Sequence, residues 1–218
     1  DWTHESQPSG WVNNELQNYI NSNSVTNLSD GKLNITCYKG EDGKIYSGRV
    51  YAKVNTGWKY GYFEARIKLP KGKGTWPAFW MMPVNNNFTT NPWPACGEID
   101  IMEEVGVDAN NVSSTIHCTK YNNSNTSIEH ATKLIDTAES EYHVYGCEWT
   151  ADFIRFMVDG AQILKYNNDG TKEGWPFNTA FYPILNFAWG GAWGGYKGVD
   201  ETALPTTMKV DYVRVFQK

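Results

Sequence analysis

No run of apolar residues in this chain approaches the ~18 needed to cross a bilayer as a helix, so no membrane span is expected. Positive charge is in deficit: 19 Lys and Arg stand against 24 Asp and Glu, a net charge of -5 that leaves no basic footprint for nucleic acid. Cysteine is scarce. Cys37, Cys96, Cys118 and Cys147 lack the paired spacing of a zinc site and allow three disulfide pairings or none; apolar, strand-like surroundings suit each to a buried thiol. Charged residues make up only 20% of the 218, and no charge block, repeat or linker divides them, so a single domain over residues 1–218 is expected. The opening "DWTHESQPSG" is not a signal peptide. A mature secreted chain would already have lost one, so an extracellular location stays open.

Aromatic residues, in contrast, are plentiful at 15%, with ten Trp and thirteen Tyr. Such rings fill cores, and they also line grooves, where a flat apolar face and a polar edge suit sugars. The segment "YGYFEARIKL", Tyr60 to Leu69, alternates apolar and polar residues with the period of a half-buried strand. Similar runs cover Lys32–Tyr38, Ile45–Val54, Trp76–Met82, Glu98–Val105, Ser113–Cys118, Tyr142–Trp149, Phe153–Val158, Gln162–Tyr166, Tyr182–Trp189 and Met208–Phe216. Turn signals such as "SDG", "EDG", "VDG" and "NDG" separate several of them. Only Ile128–Glu139 reads as helix. Many short strands at this spacing predict an all-β sandwich of two packed antiparallel sheets.

"PACGEIDIMEEVG" concentrates the chemistry: Glu98, Asp100, Glu103 and Glu104 fall within seven residues. In a regular strand Glu98, Asp100 and Glu104 share one face, and Glu103 is buried beside Ile99 and Ile101, a costly place for a lone carboxylate. A β-bulge at Ile101–Met102 would reset the alternation and bring Glu103 onto the face of Glu98 and Asp100. At roughly 3.3 Å per residue, an unbulged Glu98–Glu104 pair lies about 20 Å apart at Cα, too far for joint work on one bond. The bulged Glu98–Glu103 pair lies nearer ~13 Å, and leaning side chains close that to about 5 Å, the separation of the two carboxyls in retaining glycosidases. Asp100 between them should raise at least one pKa, as a general acid requires. An acidic solvated strand edge, or a metal site built from Glu98, Asp100, Glu103 and His117, would use the same residues.

The stretch "GEIDIMEEVG" resembles the active-site signature of glycoside hydrolase family 16 in its bulged form, Glu-x-Asp-x-x-Glu. "GWVNNELQNY", "YSGRV", "YGYFEARIKLPKGKGTWPAFWMMP", "TIH", "YPILNFAWGG" and "VDYVRVF" follow in family order over nearly the whole chain, and the likeness is nearest to laminarinase-like endo-β-1,3(4)-glucanases. The resemblance implies a β-jelly-roll of two curved sheets with a concave substrate cleft. It also implies Glu98 as nucleophile, Asp100 as its partner and Glu103 as acid/base, in a retaining enzyme acting on β-1,3 or mixed-linkage β-glucan. A galactan-cleaving relative and a non-catalytic glucan-binding sandwich are the alternatives.

Around these residues, Trp76 and Trp80 lie four apart on one strand face, where the family floors its sugar subsites. Trp93 resembles a substrate tryptophan. Arg49 would hydrogen-bond sugar hydroxyls or a catalytic carboxylate, Asn14 a sugar, and His117 would stand near Glu103 or the leaving-group side. Trp189 and Trp193 would shape a subsite loop or cap the sheet edge, with Asn186 nearby, while Trp149 reads as core. Family members usually carry a further strand with a "DEFNG"-like segment ahead of residues matching Trp2–Glu5, and usually Gly at the Val12 position. The Trp- and Gly-rich "FAWGGAWGGYKG" also departs from the usual "LAVGG". A calcium often found in the family uses groups near that first strand and an Asp matching Asp211. Asp211 is thus the candidate ligand for a structural calcium; no cofactor is expected for catalysis. The expected partner is a β-glucan, bound by a secreted or cell-surface monomer.

Overall fold

The computed structural model describes residues 2–53, 56–122 and 129–217. Two sheets pack face to face. The first has the order β1 (Thr3–His4), β6 (Arg49–Tyr51), β15 (Phe181–Trp189), β8 (Thr75–Pro83), β9 (Glu98–Glu103), β10 (Asn111–His117), β11 (Glu129–Leu134). The second runs β14 (Ala161–Asn167), β13 (Phe153–Val158), β12 (His143–Trp149), β7 (Gly61–Lys68), β16 (Thr206–Phe216), β4 (Lys32–Lys39), β5 (Ile45–Ser47), β2 (Gln17–Tyr19), with β3 (Thr26–Ser29) also on β4. Pairing is antiparallel except between β2 and β5, which run parallel.

Alternation along β7 shows why these residues form strands. Phe63, Ala65 and Ile67 are fully buried, and Tyr62, Glu64, Arg66 and Lys68 lie between them on the other face. Inward residues of both sheets meet in one core: Ile35, Phe63 and Phe156 from the second sheet, Phe79, Ile99 and Phe187 from the first. Trp149 occupies its centre, edge-on to Tyr60 and Phe181, its indole N–H donating to the Phe177 carbonyl at 3.2 Å. All four cysteines are buried and unpaired.

Two sequence expectations change. Ile45–Val54 is not one strand: β5 belongs to the second sheet and β6 to the first. The chain crosses at Gly48, where a Cβ would come within 2.5 Å of the Thr26 side chain. Within the expected helix Ile128–Glu139, Ile128 lies outside the described residues, and Glu129–Leu134 forms strand β11, an edge strand paired to β10. Its strict half-buried, exposed alternation has the period of a strand, and six cross-strand partners on β10 outweigh its helical propensity.

Trp189 is corrected as well. Expected beside the substrate, it is fully buried in the core, on the same strand face as Leu185 and Phe187. Replacing a buried aromatic with alanine costs about 3–5 kcal/mol. Trp189→Ala should therefore lower the melting temperature by roughly 2–4 °C per kcal/mol, as read in a thermal melt. A variant with an unchanged melt and weakened glucan binding would return Trp189 to the cleft.

Candidate active site

The site lies on the face of the first sheet turned away from the core, and β9 sets its geometry. On β10, Ser113 faces Glu103 and Thr115 faces Asp100, so one residue opposes two. On β8, Phe79 faces Met102 and Trp80 faces Asp100, which leaves Ile101 as the extra residue. This bulge puts Ile101 and Met102 together into the core, at 1% and 0% exposure. Glu103 then turns to the side of Glu98 and Asp100, and Glu104 turns inward. Gly97, at φ +84°, turns the chain into β9, where a Cβ would press to 2.9 Å of Pro176.

Glu98, Asp100 and His117 each present one ligating atom within 4.8 Å of the others. His117 pairs with Glu98 in register, and its Nε2 lies 3.1 Å from the Asp100 carboxylate. Its direct contact is thus at the Glu98 and Asp100 end, while its charge also bears on Glu103, near which it was expected. Trp93 donates its indole N–H to Glu98 at 2.8 Å, and its ring lies 5.5 Å from that of His117. Trp76 donates to Glu103 at 2.9 Å, with Trp193 edge-on to it at 5.6 Å. Each outer carboxyl is thus aimed by one tryptophan.

Burial dominates the electrostatics. It lifts Glu98 to about 8, helped by the charge of Asp100 and opposed by His117 and the Trp93 N–H. It lifts Glu103 to about 7, opposed by the Trp76 N–H and helped by Glu98. Asp100 is raised well above the usual range by burial, then by Glu103. Glu98, Asp100 and Glu103 are electrostatically linked, since the charge on Asp100 raises Glu98 and that on Glu103 raises Asp100. Their titration belongs to the group. A proton on Asp100 removes the charge that raises Glu98 and so favours its carboxylate, while Glu103, lifted to about 7, can still hold a proton near neutrality. One group able to attack and one able to donate then face the same cleft.

The remaining expected residues divide. Trp80 belongs to the cleft face, donating to Asn186 Oδ1 at 2.6 Å, and Asn186 in turn donates to the Tyr19 hydroxyl. Arg49 touches no catalytic carboxylate. It is paired with Glu5 at 2.7 Å and held between the Trp80 and Trp11 rings, 4.9 and 5.2 Å from their centroids. Asn14 is exposed in a left-handed turn beside Gly190–Ala192. Asp211 does not fit a calcium: Arg66 at 2.6 Å and Lys32 at 3.3 Å already neutralise it. Glu15 escaped the sequence reading. Buried, it accepts from Asn13, Gln17 and Tyr19, and its charge raises Glu103. Its alternation with Gln17 and Tyr19 was the available signal.

Glu104 is fully buried, accepting from the Asn110 N–H at 2.6 Å. Burial, then Glu139, raise it to about 8 from an ordinary 4.5. An acid raised on folding holds its proton longer in the native state, so its contribution to stability falls as pH rises from 4.5 towards 8. Glu104→Gln keeps the acceptor and cannot ionise. It should raise the melting temperature at pH 8 and change it little near pH 4.5, with both enzymes active. For Trp76→Phe the sign is opposite in origin. The lost N–H favoured the Glu103 carboxylate, so the proton is held to higher pH. The basic limb of kcat/KM should move up by about one pH unit, the scale of one hydrogen bond to a charged group. A limb that stays or moves down would refute the role of this contact.

Residues 13–214 match the family described as glycosyl hydrolases family 16. The chain is 38% identical to a β-glucanase from Rhodothermus marinus, over 99% of this chain and 79% of that protein. It is 37% identical to glucan endo-1,3-β-glucosidase A1 of Niallia circulans over 96% of this chain, but it spans only 33% of that protein. The solved laminarinase of Rhodothermus marinus superposes with a TM-score of 0.94 at 36% identity, covering 99% of this chain and 90% of that one. A solved non-specific endo-β-1,3(4)-glucanase of the family superposes at 0.92 and 38% identity, covering 100% and 84%. With its bulged carboxylate strand and its match over nearly the full length, this chain belongs to glycoside hydrolase family 16.

Proposed function

We propose that this chain is a retaining endo-β-glucanase for glucans with β-1,3 links, in laminarin or in mixed-linkage β-1,3-1,4-glucan. The observation that supports it most is the bulge, which gathers Glu98, Asp100 and Glu103 on one face with a tryptophan N–H on each outer carboxyl. A glucan lies across the first sheet. Glu103 gives its proton to the glycosidic oxygen as the Glu98 carboxylate attacks the anomeric carbon, and the carbon–oxygen bond to the leaving chain breaks. Asp100 holds Glu98 in place. Glu103, now a carboxylate, takes a proton from water, which attacks the same carbon and releases Glu98 with retention. No metal enters these steps. The enzyme works as a monomer and outside the cell, where polymeric glucan is met.

Product analysis on laminarin, barley β-glucan and agarose tests the substrate class. New reducing ends should appear on either glucan, and activity confined to agarose would overturn the assignment. The roles are tested with azide and an activated aryl glycoside. Glu98→Ala should give an α-glycosyl azide, because azide enters the vacated nucleophile position. Glu103→Ala should give a β-glycosyl azide through the glycosyl-enzyme. Products of the reverse configuration, by NMR, would exchange the two roles.

A further inference from the structure

Beside the catalytic face, a cavity of about 790 Å³ opens between the β8–β9 loop and residues 168–179, which precede β15. Ligand sites commonly enclose about 300–1,000 Å³. The catalytic carboxyls do not line it. Its wall is the other side of the loop that carries Trp93: Trp93 reaches Glu98, and Ala95 and Cys96 face the cavity.

The chemistry of the lining is narrow. Five asparagines and three threonines surround it, with Lys172 the one charged side chain. Amides and hydroxyls both donate and accept, as do the hydroxyls of a sugar. A phosphate would call for clustered cations, and a peptide strand for a free sheet edge; neither lines this cavity. Parts of the wall are fixed in advance. Asn86 and Asn91 are tied to each other by two 2.9 Å bonds, and Asn168 donates to the Ala151 carbonyl. Asn85, Asn178 and Thr179 are different: exposed at the cavity, their side chains make no hydrogen bond among the described residues. Pro83 and Trp175 give the floor apolar surface.

We infer that this cavity is a second carbohydrate site, which holds a neutral glucan segment through Asn85, Asn178 and Thr179 while the cleft works on another part of the polymer. That the sugar is glucan rests on the function proposed above; that the cavity binds a neutral sugar does not. Occupancy of both sites by one chain would keep the enzyme on its substrate between cuts.

The test uses Glu98→Ala protein, which leaves the probe intact. Titration with laminarihexaose in a calorimeter should show two binding events per chain. Adding Asn85→Ala and Asn178→Ala should remove one event and weaken retardation in gels containing barley β-glucan about tenfold, the scale of a few lost hydrogen bonds. Thr179→Ala, a smaller change, should weaken the same event if the double substitution disturbs folding. A single event in both proteins overturns the proposal. So does a pair of events that survives the substitutions, or one event that merely weakens, which would make the cavity an arm of the cleft. Agarohexaose serves as the second probe. Binding of that sugar alone, still lost with Asn85→Ala and Asn178→Ala, would retain the cavity site and overturn the glucanase assignment.

Discussion

One extra residue in β9 governs this site. Without it, Glu98 and Glu103 would stand on opposite faces of the first sheet, one in the cleft and one in the core. The slip is held from both sides, because β8 and β10 each skip a partner at the same place. Ile101 and Met102 anchor it by filling the core together. A shift of register here would expose two apolar side chains and bury a carboxylate, so packing enforces the chemistry.

Three carboxyls brought this close resist ionisation, and their surroundings set how much. Burial pushes all three upward, and the tryptophan N–H groups push Glu98 and Glu103 back. Trp93 and Trp76 therefore act on the carboxyls directly. Each gives its N–H to a carboxyl and so orients the catalyst, a role besides any contact its ring would make with sugar in the proposed function. His117 adds a contact to Asp100, the residue with the least access to water of the three. The same principle keeps Arg49 in place: Glu5 neutralises it, and the Trp80 and Trp11 rings hold its plane.

Legibility varied with the kind of residue. β7 and β13 were readable because their buried residues alternate with less buried ones, which prints a period of two into the sequence. The bulge was readable from an energetic contradiction, a lone Glu103 among isoleucines. Trp189 was misplaced because it is a large aromatic next to glycines, although its parity with Leu185 and Phe187 points inward. Glu15 was missed because it lies just ahead of a three-residue strand, so its alternation with Gln17 and Tyr19 is too short to stand out. Asp211 entered as a possible calcium ligand from the family resemblance alone, and its two ion-pair partners, Lys32 and Arg66, could not be read beside it because they lie on other strands.

The sequence by itself determined the all-β class, most strand positions and the three-carboxyl constellation, since these depend on alternation and spacing within one segment. Tertiary structure alone decided which side chains meet across strands. It set His117 against Asp100, gave the Arg49 charge to Glu5, turned Ile45–Val54 into a crossing between sheets, and made β11 of a helix-prone stretch. Each of those outcomes depends on partners far apart in the chain, whose contacts exist only once the sheets have paired and packed.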